Sequence, residues 1–121
     1  MSKYKAGISY HQWEIEQLRS DGAFAVECLK VALESLDDPE ERGGSLLMLR
    51  ALAEAYGGLG KIAAKAGISR ESLYRSLSPK GNPTMKTLIA VITSMGLRLS
   101  VVEKDAVAKK RTRSKTTRKA A

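Results

Sequence analysis

Residues 59–78 read LGKIAAKAGISRESLYRSLS, and their spacing decides the fold. A helix-turn-helix needs a small residue in its first helix, because the second helix crosses close above it. Ala63 supplies that residue. Four positions later the backbone must turn through positive φ, and Gly67 stands there. Ile68 follows as the apolar plug between the helices. Leu73 anchors the second helix, and Ile62 and Leu77 complete a small core around the turn. Every position the motif requires is filled.

The same spacing occurs in ordinary helix–turn–helix connections within bundles, so the second helix's outward face carries the functional reading. Ser69, Arg70, Ser72, Tyr74 and Arg75 on that face are all polar or hydrogen-bonding, and a recognition helix presents its N-terminal residues to base edges. Arg70 is suited to bidentate contact with guanine. Glu71 can accept from cytosine or orient Arg75 one turn away. Lys61, Lys65 and Lys80 flank the motif and suit phosphates. A merely solvated charged face is the plainer alternative.

Outward from the motif, the chain reads as further helices. Ser69 caps a helix over 70–77, and the run Ser78, Pro79, Lys80, Gly81, Asn82, Pro83 is a loop, since two prolines and a glycine continue neither helix. Thr84 caps a last helix through Met95, with Leu88, Val91, Ile92 and Met95 facing inward, and Gly96 stops it. Residues 97–101 (LRLSV) alternate with period two and predict a short strand, to be paired with the N-terminal segment or with a second subunit.

Upstream, a short helix is predicted near 12–19, with Trp13 either packed in the core or presented as an interface anchor. Ser20 or Asp21 caps a helix to about Asp37 that buries Ala25, Leu29, Ala32, Leu33 and Leu36. Asp38, Pro39 and Glu41 have the chemistry of a cap, a first helical residue and a capping-box partner. Gly43 and Gly44 weaken that start, so the helix restarts at Ser45. Leu46, Leu49, Leu52, Ala53 and Tyr56 then form one face, ended by Gly57 and Gly58.

Composition agrees with a small helical protein. The chain has 121 residues, 43% apolar and only 5% aromatic, enough for one core. The fold class expected is all-α: a compact helical bundle containing a helix-turn-helix, a short C-terminal strand and a disordered basic tail. Its divisions are an N-terminal segment (1–20), the helical domain (21–102) and the tail (103–121). The tail holds eight basic residues and two acids, leaving a net +2 of the total +8 for residues 1–102. Such tails add sequence-independent attraction to polyanions. Deleting residues 104–121 is expected to flatten the salt dependence of DNA binding while leaving sequence preference intact.

Several classes of function are disfavoured. A lone cysteine, Cys28, and a lone histidine, His11, provide neither a disulfide nor a multi-cysteine metal site. Cys28 sits in an apolar helical stretch, where cysteine behaves as a small hydrophobe. No phosphate loop, dinucleotide fingerprint, HExxH or nucleophile elbow occurs. No enzyme activity, metal or cofactor is expected. No apolar run is long enough to span a bilayer and no signal core opens the chain, which predicts a soluble, cytoplasmic protein without membrane association.

Residues 25–102 resemble the addiction-module antidote proteins. The runs SRESLYRSLSPKGNPT (69–84) and GLRLSV (96–101) carry the resemblance, and LDDP (36–39) is similar to the segment joining that family's first two helices. The stretch between LDDP and Leu52 is longer than that family's pattern, with Gly43 and Gly44 in the extra length. The resemblance implies a lambda-repressor/Cro-type helix-turn-helix and a two-gene module whose other product is a RelE-like toxin, typically an mRNA-cleaving ribonuclease. It also implies that the antidote binds and silences that toxin and, as a homodimer, represses their shared promoter on double-stranded DNA. Ser69, Arg70, Ser72, Tyr74 and Arg75 match the recognition-helix positions. The toxin-binding surface is left open between the segment around Trp13 and the face of the first helix. A stand-alone phage- or plasmid-type repressor is the alternative, and a purely toxin-binding module with a structural helix pair is the third reading.

Overall fold

The computed structural model describes residues 9–104. Six helices follow in order: α1 (Tyr10–Ser20), α2 (Gly22–Glu34), α3 (Arg42–Ala55), α4 (Leu59–Ala66), α5 (Arg70–Ser76) and α6 (Met85–Ser94). Helix α3 is the centre. α1 and α2 pack on it and on each other, while α4 and α6 pack on each other and also meet α3. One continuous core results, with Leu18, Leu46, Leu49, Leu52, Ile62, Leu73, Leu77 and Val91 fully buried.

The helix boundaries have local causes. Ser9 opens α1 with a reciprocal capping box to Gln12, Asp21 caps α2 through Phe24 N–H, and Thr84 caps α6 through Thr87 N–H. These three caps satisfy donors that a helix start leaves unpaired. Gly67 closes α4 at φ 72°. There the Ile68 N–H reaches the Ala63 carbonyl at 3.0 Å and the Gly67 N–H reaches Ala64 at 3.1 Å, the paired bonds of a Schellman ending.

Two expectations are corrected. Residues 97–101 form no strand. Gly96 turns the chain at φ 77° and the Leu97 N–H folds back to the Ile92 carbonyl, so only Leu97 packs against the core. Leu99 and Val101 are exposed. Among the described residues no strand edge exists to receive a ladder, and alternation without a partner does not make a strand. The expected tail lies outside the described residues, apart from its first two positions.

The second correction is at the start of α3. Asp38 turns the chain through a bond from Glu40 N–H to its carboxylate, leaving Pro39 and Glu41 outside the helix. Glu41 occupies the cap position without a side-chain bond. Gly43 and Gly44 are helical after all. A Cβ on Gly43 would stand 3.3 Å from the Pro79 side chain, so the glycine lets the loop after α5 approach the α3 backbone. Arg42 closes this contact from its other side. Its guanidinium donates to the carbonyls of Leu36 and Gly81 and to Asn82 Oδ1 at 3.1–3.2 Å, joining the loop after α2 to the loop after α5.

Helix α1 is tied to α3 end to end. Arg19 donates to the carbonyls of Ala55 and Glu54, filling acceptors that the end of α3 leaves open. Tyr56 ties the pair in the other direction, its hydroxyl donating to the Leu18 carbonyl at 2.7 Å. Tyr56→Phe removes that donor and leaves the carbonyl short of a partner. We expect about 1 kcal/mol lower stability in urea titration, and an unchanged midpoint would show that water satisfies Leu18 equally well.

Candidate functional site

The predicted motif residues divide cleanly into inside and outside. Ile62, Ala63, Leu73 and Leu77 are buried, Ile68 is half-buried against them, and Gly67 makes the turn. This packing fixes α5 across α4 and leaves one side of the short α5 helix in solvent. Ser69, Arg70, Glu71, Tyr74 and Arg75 are exposed there, with Ser72 at the margin. Lys61 and Lys65, one turn apart on α4, and Lys80 after α5 are exposed as well.

Chemically these side chains are not equivalent. Ser69 Oγ accepts from Ser72 N–H and donates to Ser72 Oγ, both at 3.0 Å, so its hydroxyl serves as the α5 cap. Glu71 makes no ion pair with Arg75; Lys30 pairs with Glu27 at 3.5 Å, and His11 Nε2 lies 2.8 Å from a Glu54 carboxylate oxygen. Arg70, Arg75 and the three lysines therefore present uncompensated cations within the described region. The Tyr74 ring, half exposed, lies under the Arg50 guanidinium, 4.0 Å from its centroid.

Arg50 was missed in the sequence, although a signal exists. It falls one turn from both Leu46 and Ala53, inside the buried stripe of α3, where an arginine needs a reason. The reason is Tyr74: cation–π stacking holds the ring, while Arg50 Nη1 is buried without a hydrogen-bond partner among the described residues. Lys86 was missed too. Its ammonium lies 3.3 Å from where a Cβ on Gly67 would stand, at the negative end of the α4 dipole.

The larger feature is how charge is divided. Residues 9–58 contain ten acids and four basic residues, whereas residues 59–94 contain six basic residues and one acid. The near-neutral sum over residues 1–102 hides an acidic α1–α3 region and a basic α4–α6 region. A polyanion is attracted to the second and repelled by the first.

Among the described residues no cluster of three or more His, Cys, Asp or Glu is arranged to hold a metal, and no helix is long and apolar enough to cross a membrane. Partial burial pushes the Cys28 thiol above its ordinary range, and the Glu14 and Glu27 carboxylates push it further. Burial and both carboxylates thus favour the thiol of Cys28 over its thiolate. Its alkylation by iodoacetamide at pH 8 is expected to run several-fold slower than that of free cysteine and to rise with pH; equal rates would contradict the shift.

A family model described as "Probable addiction module antidote protein" matches residues 10–103, the whole of α1–α6. The chain belongs to this antidote family. A 43-residue stretch is 46% identical to an uncharacterized protein of Haemophilus influenzae, covering 36% of this chain and 44% of that protein. The chain thus spans less than half the length of the curated relative it matches. No solved structure matches it.

Proposed function

We propose that the chain is a DNA-binding antitoxin without catalysis of its own: it neutralises a RelE-like toxin by direct binding in the cytoplasm and, as a homodimer, represses the promoter the two genes share. One observation carries the DNA half of this reading. The exposed side of α5 brings Arg70 and Arg75, with no acid paired to either among the described residues, onto a face flanked by Lys61, Lys65 and Lys80. A tight αL turn at Gly67 and a buried Leu73 fix that face in orientation, which is what base readout from a helix requires. Arg70 and Arg75 are assigned to base edges, Ser72 and Tyr74 to bases or adjacent phosphates, and the lysines to phosphates.

The toxin half rests on family membership, and its RelE-like class on the resemblance of residues 25–102. Dimerisation follows from the small footprint of one such helix, because two half-sites related by a two-fold axis supply the missing specificity.

The test is binding of the purified full chain to DNA from upstream of its own gene, with scrambled competitor at about physiological salt. Protection of the promoter fragment that survives a large competitor excess is the expected result. Binding that competitor removes completely would reduce the interaction to charge alone, and the repressor reading would fall.

A further inference from the structure

We propose that the cleft between α1 and α2 is where the toxin docks, and that it receives a cationic side chain, arginine foremost, from the toxin's surface. This deepens the antitoxin reading above and rests on it. The cleft is a cavity of about 430 Å3 walled by Tyr10, Trp13, Phe24 and Met48, with Glu14 and Asp21 at its polar edge. The Tyr10 and Trp13 rings lie 5.6 Å apart, tilted at 35°, and Tyr10 and Phe24 are about half exposed. Exposed aromatics beside an open cleft are what protein interfaces select as anchors.

Charge chooses the occupant. Asp21 caps α2 with one carboxylate oxygen and keeps acceptor capacity, while Glu14 makes no ion pair among the described residues. Glu16 and Glu34 add to the same two helices, whose basic residues are otherwise engaged: Arg19 with the end of α3 and Lys30 with Glu27. A guanidinium entering this cleft meets aromatic faces and carboxylates together, the two groups that bind it best. A second copy offering the same face would set Glu14 and Asp21 against their own duplicates, which like-charge repulsion opposes. A nucleic acid is repelled by this face for the same reason.

The partner that complements this acidic, aromatic cleft presents exposed arginine on its contact surface. The two ligands would then occupy separate helices of opposite sign: nucleic acid on α4 and α5, toxin on α1 and α2. Cationic toxin is turned away from the α5 face by Arg70 and Arg75. Both can therefore be held at once.

Trp13 is the only tryptophan in the chain and reports on the cleft directly. The experiment titrates hexa-arginine amide into the full chain at low salt and follows Trp13 emission, with hexa-glutamate as control. A saturable change is expected, its midpoint raised about five- to tenfold in Glu14→Gln/Asp21→Asn. Asparagine caps a helix about as well as aspartate, so Asp21→Asn keeps the start of α2. Glu14→Gln alone provides a second variant should the pair unfold. An unresponsive Trp13, an equal response to hexa-glutamate, or an unchanged midpoint in the variants overturns the proposal. Binding that emerges only after removal of residues 105–121 overturns it too, by giving the cleft to the chain's own tail. Promoter binding is read separately: DNA affinity without a Trp13 response sinks the cleft proposal, while the converse sinks the repressor reading alone.

Discussion

Arg70→Ala/Arg75→Ala is expected to weaken promoter binding by about two to four orders of magnitude while leaving the fold untouched. Each well-formed arginine contact to a guanine edge contributes on the order of 1–3 kcal/mol of discrimination, and every ~1.4 kcal/mol is tenfold in affinity. Two independent contacts sum to the stated range. The fold is spared because both side chains are exposed and engage no partner among the described residues, and alanine suits a helix at least as well as arginine. Competition assays with promoter and scrambled fragments separate base contact from phosphate contact. Losing promoter affinity while retaining scrambled affinity assigns the arginines to bases. A parallel fall for both fragments assigns them to phosphates, and unchanged promoter affinity removes α5 from the interface.

Tyr74 belongs to the same argument through Arg50. An exposed tyrosine on a seven-residue helix would ordinarily sample several rotamers, and fixing it at a DNA surface costs entropy. The Arg50 guanidinium, anchored in α3 and stacked 4.0 Å above the ring, removes part of that freedom before any ligand arrives. The α5 face is thus organised from behind by a cation that does not itself belong to the exposed set.

What was legible in the sequence is local in the chain. Asp21, Ser69 and Thr84 each bond to an N–H three positions on, and Gly67 and Gly96 terminate helices through bonds spanning five residues or fewer. Both partners of each bond lie within about a turn and a half of helix in sequence. Arg42 meets Gly81 and Asn82 across 39 and 40 positions, and Tyr56 meets Leu18 across 38. No local pattern announces such pairs. Residues 97–101 failed for the related reason that a strand is a property of two segments, and only one was present to be read. The charge division was legible throughout, since it needs only counting, but a sum over residues 1–102 cancelled α1–α3 against α4–α6. The candidate site follows the same rule. Arg70 and Arg75 stand on a face set by local periodicity, while Arg50, Lys86 and the α1–α2 cleft appear only once distant helices are packed.

Gly81→Ala is expected to lower stability by about 2–4 kcal/mol, near the upper end of what overpacking costs. A Cβ at residue 81 would overlap the Ser76 carbonyl oxygen and stand 2.5 Å from that of Arg75. Those are backbone atoms of the last turn of α5, so no side chain can rotate away and either the loop or the helix must move. Movement of the loop breaks the turn bond from Gly81 N–H to the Ser78 carbonyl at 2.7 Å and the Arg42 clasp on the Gly81 carbonyl. Movement of the helix displaces Arg75 itself. Thermal denaturation followed by circular dichroism should show a fall of roughly 10 °C or more for a domain of this size. The clasp supplies an internal check, because a displaced loop has already lost Arg42. Combining Arg42→Ala with Gly81→Ala should therefore cost less than the two changes summed. Full additivity would mean that the loop stays in place and the helix yields. A melting temperature within a degree or two of the parent would mean that the loop after α5 accommodates a methyl group, and Gly81 would lose its role in seating that loop against α3.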